Sequence, residues 1–248
     1  MYINDIHILI YIGIGLIGLL IGQFVNFCNI KLPEHKKIFS NEIWHELKLV
    51  KQNYIIMFSN CALYVALLYT IGIENPIKLI GFLVLVPMLL SACYIDFKKQ
   101  IIPNRLTLTI FEVGLIYTFA QGIININVAF EMLLGGIIGA GVFLIITLLG
   151  GAIFGKESMG FGDVKLIGAI GLFVGWRYII AISILSFFIG AIYSIVLMLT
   201  LKIKKKENIE YIAFGPFIVL ASILVTFVPL DTLIIIAFEI FTFGRFKG

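Results

Sequence analysis

Charge is what this sequence has least of. Asp, Glu, Lys and Arg make up 13% of its 248 residues, against 61% apolar residues and a mean hydropathy of +1.11. A water-soluble domain of this length needs far more charge to cover its surface, so the composition makes the bilayer the solvent. Cysteine is scarce as well. Cys28, Cys61 and Cys93 have no paired spacing, which gives no disulfide framework and no zinc site built from cysteine alone. No low-complexity linker or internal repeat divides the chain. The first apolar segment lacks a basic start and a small-residue cleavage site, so it is expected to be a retained span rather than a removed signal.

What is present is a series of apolar segments at about residues 7–28, 54–73, 77–95, 105–123, 129–154, 164–180, 181–201 and 212–240. They predict an all-α, polytopic membrane protein with about eight transmembrane helices and short loops. Of the 18 basic residues, 14 fall in four loops, at 29–53, 96–105, 155–165 and 202–206. Those loops are all on one side, which the positive-inside rule assigns to the cytoplasm, with both chain ends outside. The net charge of +4 is thus a topology signal and not a nucleic-acid signature. The one soluble-looking stretch is "KLPEHKKIFSNEIWHELKLVKQN", residues 31–53. Its Ser40, Glu42 and "IWHELKLV" predict a short amphipathic helix at the interface, or a polar loop with a helical turn.

Acids near a membrane are costly and therefore candidates for function. Glu112 and Glu239 are isolated in apolar helices, and Asp231 follows a proline; each reads as a locally satisfied polar residue. Asp96, in "YIDFKKQIIPNRLT", and Asp163, in "MGFGDVKLIGAIG", differ from these because they share a predicted depth and side. Alone, Asp163 could be a helix N-cap and Asp96 an interfacial residue answering Lys98 and Lys99. Gly160 and Gly162 leave the backbone before Asp163 open to close approach. Pro103 stops the next helix from running back to Asp96. Two carboxyls brought together in low dielectric do not both ionise, which supplies a general acid and a general base in one site. Such a pair can activate water and protonate a departing amide nitrogen without a metal.

The three blocks "YIDFKKQIIPNRLT" at 94–107, "MGFGDVKLIGAIGLFVG" at 159–175 and "FGPFIVLAS" at 214–222 resemble the type IV prepilin peptidases, a branch of the Gly-x-Gly-Asp membrane aspartyl proteases. "IGQFVNFCNIKLP" at 21–33 is similar to that family's glycine-rich segment. The resemblance implies that Asp96 and Asp163 are the catalytic dyad, with Gly160, Phe161 and Gly162 shaping the loop that presents Asp163. Lys165, Pro103, Asn104, Gly215 and Pro216 become supporting residues, and no metal is expected.

The implied substrate is a prepilin or pseudopilin, cut after a glycine between a basic cytoplasmic leader and an apolar helix. The implied location is the inner membrane of a bacterium, with the site facing the cytoplasm. Many members also methylate the new N-terminus with S-adenosylmethionine and carry two Cys-x-x-Cys pairs in the first loop. Here no cysteine lies between Cys28 and Cys61, and only His35 and His45 could substitute. Residues 1–53 then read as a span plus a degenerate methyltransferase-type loop, and 54–248 as the peptidase domain. Methylation, oligomeric state and the choice among pilus, secretion and competence substrates stay open. The alternative from another class is an ion or proton-coupled transporter using the same two aspartates.

Overall fold

The computed structural model describes residues 2–4, 6–34, 43–154, 159–204, 212–229 and 231–233. Tyr2–Ile3 (β1) and Ile6–His7 (β2) form a two-residue antiparallel pairing ahead of the first helix. The rest is helical: α1 (Ile8–Lys31), α2 (Ile43–Leu49), α3 (Tyr54–Ile71), α4 (Pro76–Lys99), α5 (Asn104–Ile124), α6 (Ile126–Phe154), α7 (Phe161–Val174), α8 (Trp176–Lys204) and α9 (Gly215–Phe227). Among the described residues six of these, α1, α3, α4, α5, α6 and α8, are long and apolar enough to cross a membrane. Their outward faces carry large apolar side chains such as Leu20, Phe58, Phe119, Ile137 and Ile192, which only lipid can cover without cost. The protein is an all-α, multi-pass membrane protein.

Two boundaries differ from those read in the sequence. The sixth and seventh apolar segments meet at Gly175, not near residue 180, so residues 176–180 belong to α8. The cause is backbone conformation: Gly175 has φ +84°, a left-handed region that stops α7 and that hydropathy cannot register. The last segment, expected as one span over 212–240, is interrupted. α9 ends at Phe227, just before Pro229, whose ring removes an amide donor and disfavours helix at the residue before it. Residues 234–240, with Glu239, lie outside the described residues.

The centre of the bundle is α7. Its 14 residues make a helix of roughly 21 Å, too short for a typical hydrocarbon core. Ten of the eleven positions from Asp163 to Phe173, all but Lys165, are buried, as expected of a helix enclosed by others. The packing against α6 is backbone to backbone: a Cβ added at Gly171 would lie 2.3 Å from the Gly135 carbonyl oxygen, and one at Gly135 would lie 2.5 Å from the Gly171 oxygen. Small residues permit such contact, which is how helices associate where lipid removes the hydrophobic drive. On the α5 side the Thr118 hydroxyl donates to the Leu172 carbonyl at 2.9 Å. Together these contacts fix the register of α7, and with it the depth of Asp163.

α4 runs the other way beside this core, with a proline inside it. Pro87 has no N–H, so the Leu83 carbonyl loses its helical donor. The buried Tyr64 hydroxyl of α3 donates to that oxygen at 2.6 Å. The helix therefore continues unbroken to Lys99, as membrane helices with a satisfied proline do. At the same end of the bundle, the Lys31–Glu46 ion pair ties α2 to α1, and Asn26 Nδ2 donates to the Lys51 carbonyl at 2.9 Å. The helix expected from "IWHELKLV" is α2; Ser40 and Glu42 lie outside the described residues.

Candidate active site

Asp96 sits in the last turn of α4. Its carbonyl accepts from Gln100 N–H at 2.8 Å, and Gln100 closes the helix in a left-handed conformation, φ 54° and ψ 34°. The chain then runs through Ile101, Ile102 and Pro103 without helix before α5 begins at Asn104, the short irregular link that Pro103 predicts. Asp163 lies in the first turn of α7. The N-cap of that helix is Gly160, so the reading of Asp163 as a simple N-cap is corrected. Its carboxyl turns back over the cap: a Cβ on Gly160 would be 3.4 Å from Asp163 Oδ2. That third-position placement is where a carboxylate best answers the free amides of a helix start.

The fold brings both side chains to one end of the bundle and buries them, at 5% and 6% exposure, within electrostatic reach of each other. Asp96 Oδ2 accepts the amide of Gly215, the first residue of α9, at 2.9 Å. Asp163 Oδ1 is buried with no hydrogen-bond partner among the described residues. Neither carboxylate has a Lys, Arg or His nitrogen within 4.0 Å among them. Lys98, expected as a possible answer to Asp96, donates instead to the Tyr94 hydroxyl at 2.6 Å and lies over its ring. The two acids thus have backbone amides and each other for company, which is an arrangement suited to proton exchange rather than to charge neutralisation.

Glycines make the approach possible. A Cβ on Gly162 would be 3.1 Å from Ile102 Cβ, and one on Gly215 would be 2.6 Å from Asp96 Oδ2 and 3.2 Å from Ile102 Cδ1. Ile102 therefore wedges between the start of α7 and the start of α9, close behind both acids. Sequence reasoning passed it over because an isoleucine beside a proline carries no chemical signal. Pro216 is buried in the first turn of α9, where its missing N–H costs nothing. Phe161 is exposed at the start of α7. Lys165 points away from Asp163: its Nζ donates to Asn104 Oδ1 at 2.9 Å and stands over the Phe161 ring at 5.6 Å, tying α7 to α5.

The other acids do not join the site. Glu112 and Asp231 are exposed on their helices. His45 is exposed on α2, and His35 lies outside the described residues. Among the described residues no three His, Cys, Asp or Glu side chains gather as a metal-ligand set.

Residues 83–195 match the type IV leader peptidase family. Similar proteins include the prepilin leader peptidase/N-methyltransferase of Escherichia coli (strain K12), 32% identical over 135 residues, 54% of this chain and 57% of that one. Those of Aeromonas salmonicida (strain A449) and Legionella pneumophila are each 31% identical, over 56% and 61% of this chain and 46% and 50% of theirs. The chain spans about half the length of the curated relatives it matches. No solved structure matches it. The matched residues 83–195 hold both aspartates and the Gly-x-Gly-Asp turn, so the site region of this chain is similar to the type IV leader peptidase family.

Proposed function

We propose that this protein is a membrane aspartic endopeptidase that removes the basic leader from type IV prepilins or pseudopilins, cutting after a glycine at the cytoplasmic face of a bacterial inner membrane. The observation that carries the proposal is the meeting of Asp96 and Asp163. Two buried acids, 67 residues apart in sequence, meet with no cation within 4.0 Å among the described residues, and among those residues one retains an oxygen without a hydrogen-bond partner. The family match and the relatives' names supply the substrate class.

In this reading the two acids share one proton. The ionised member takes a proton from a water molecule as its oxygen attacks the scissile carbonyl carbon. The protonated member hands its proton to the amide nitrogen as the carbon–nitrogen bond breaks. Gly215 N–H holds the Asp96 carboxylate in place through the cycle. Loops carrying 14 of the 18 basic residues would lie on the same side, which supports a site facing the cytoplasm.

Residues 54–248 carry the peptidase on this reading. Residues 1–53 contribute α1, which packs against α3 and α4, and a loop without the family's cysteine pairs. Methyl transfer is left out of the proposal for that reason. The test is to incubate the purified protein with a basic-leader prepilin, with and without S-adenosylmethionine, and read product masses. Release of one leader, lost in both Asp96→Asn and Asp163→Asn, is the expected result. An intact prepilin with folded wild-type protein would overturn the proposal, and an added methyl mass would extend it.

A further inference from the structure

At the end of the bundle opposite the aspartates, seven helices leave a cavity of ≈ 500 Å³. Its walls come from the last turns of α3, α5, α7 and α9 and the first turns of α4, α6 and α8. Two opposite charges line it, Lys78 of α4 and Glu131 of α6, and neither has an ion-pair partner within 4.0 Å among the described residues. The lining also carries neutral polar groups. Gln121 Nε2 donates to the Tyr117 hydroxyl at 3.0 Å, and among the described residues that hydroxyl's own proton has no acceptor. Tyr117 is 5% exposed and stacks on Phe173 at 5.2 Å, so its donor is held in a fixed place. Tyr178 adds a second hydroxyl at the rim.

We propose that this cavity binds the zwitterionic headgroup of a membrane lipid, an oxyanion joined by a short linker to a primary ammonium. Lys78 and the Tyr117 hydroxyl take the oxyanion, and Glu131 takes the ammonium. A purely anionic headgroup would meet Glu131 and a purely cationic one would meet Lys78, so one charge of each sign is what the lining selects. The cavity opens at helix ends, where headgroups lie. Ile80, Ile123 and Phe130, all exposed, sit on the same helix ends and offer a surface for acyl chains. The site is remote from the proposed chemistry and stands whether or not the protein proves to be a peptidase.

The full-length protein in detergent, equilibrated with phosphatidylethanolamine or phosphatidylglycerol of matched chains, would be examined by native mass spectrometry. Retention of phosphatidylethanolamine is expected to exceed that of phosphatidylglycerol by about tenfold, one well-made charge-assisted contact. Lys78→Gln and Glu131→Gln should each remove the preference, and Glu131→Gln should raise phosphatidylglycerol retention. The lipid-facing Glu112→Gln should change nothing. All four proteins would be checked for the same elution volume and melting temperature. Equal retention of the two lipids by the wild type, or an unaltered preference in both cavity variants, would overturn the proposal. Displacement of the lipid by an equal concentration of soluble O-phosphoethanolamine would overturn its assignment to lipid.

Discussion

The Gly215 amide reaches across 119 residues to donate to Asp96 Oδ2 at 2.9 Å. It is the first residue of α9, so the carboxylate occupies the start of that helix, as Asp163 occupies the start of α7. Both acids therefore face helix-start amides that have no partner within their own helix, whose partial positive charge favours an ionised carboxylate. Burial opposes it. The site holds these two influences against each other at each acid, and this is the physical setting in which a proton can pass between them.

Gly215→Ala puts a Cβ 2.6 Å from Asp96 Oδ2, with the half-buried Ile102 behind it. The acid must move, and displacement of roughly an ångström at a reacting group costs about 10²-fold in rate. Loss of prepilin cleavage by about that factor, with an unchanged melting temperature, is expected. Cleavage at the wild-type rate would show that the Asp96 position is not critical.

Asp96→Asn, Asp163→Asn and the double variant should be equally inactive. Groups that act as one unit lose their shared function with the first removal, so the second adds nothing. Initial rates on one substrate would decide it; a double variant much worse than either single one would mean that the acids act separately.

Tyr64→Phe removes the donor that answers Leu83 above Pro87 and leaves a carbonyl unsatisfied, at a cost of about 1–3 kcal/mol. In a Pro87→Ala background residue 87 regains its N–H, and the same change should cost less. Thermal unfolding of the four proteins in one detergent gives the coupling directly. Equal costs in both backgrounds would separate Tyr64 from the proline.

Gly171→Ala forces a methyl to 2.3 Å from the Gly135 oxygen, backbone that cannot swing aside. Destabilisation of at least about 1–3 kcal/mol is expected, with loss of cleavage as α7 shifts. Gly141→Ala, with nothing within 4 Å of the added carbon, is the control and should melt as the wild type does.

Lys165→Met tests whether that lysine anchors or reacts. It bonds Asn104 from an exposed position, so its loss should lower stability by less than about 1 kcal/mol and cleavage by a few-fold. A loss as deep as that of Asp163→Asn would place Lys165 in the chemistry.

The two aspartates were legible because chemistry-bearing residues are rare in an apolar chain and because their neighbours, Gly160, Gly162 and Pro103, carry backbone signals of their own. Gly215 was legible only as part of "FGPF", with nothing to say that its amide meets Asp96. Ile102 had no signal at all. The Tyr64–Leu83 bond and the Gly135–Gly171 contact depend on which faces of two helices meet, and in lipid every apolar face looks alike in sequence. The boundary at Gly175 was misplaced for a related reason, since a dihedral angle leaves no trace in hydropathy.

By itself the sequence determined the solvent, the number and order of apolar segments, and the acids worth attention, because charge in a membrane is too costly to place idly. Tertiary structure alone decided that two acids meet, that a helix start caps one of them and that an isoleucine wedges behind both. Those outcomes rest on helix register and close backbone contact, which are set by the fit of surfaces distant in the chain.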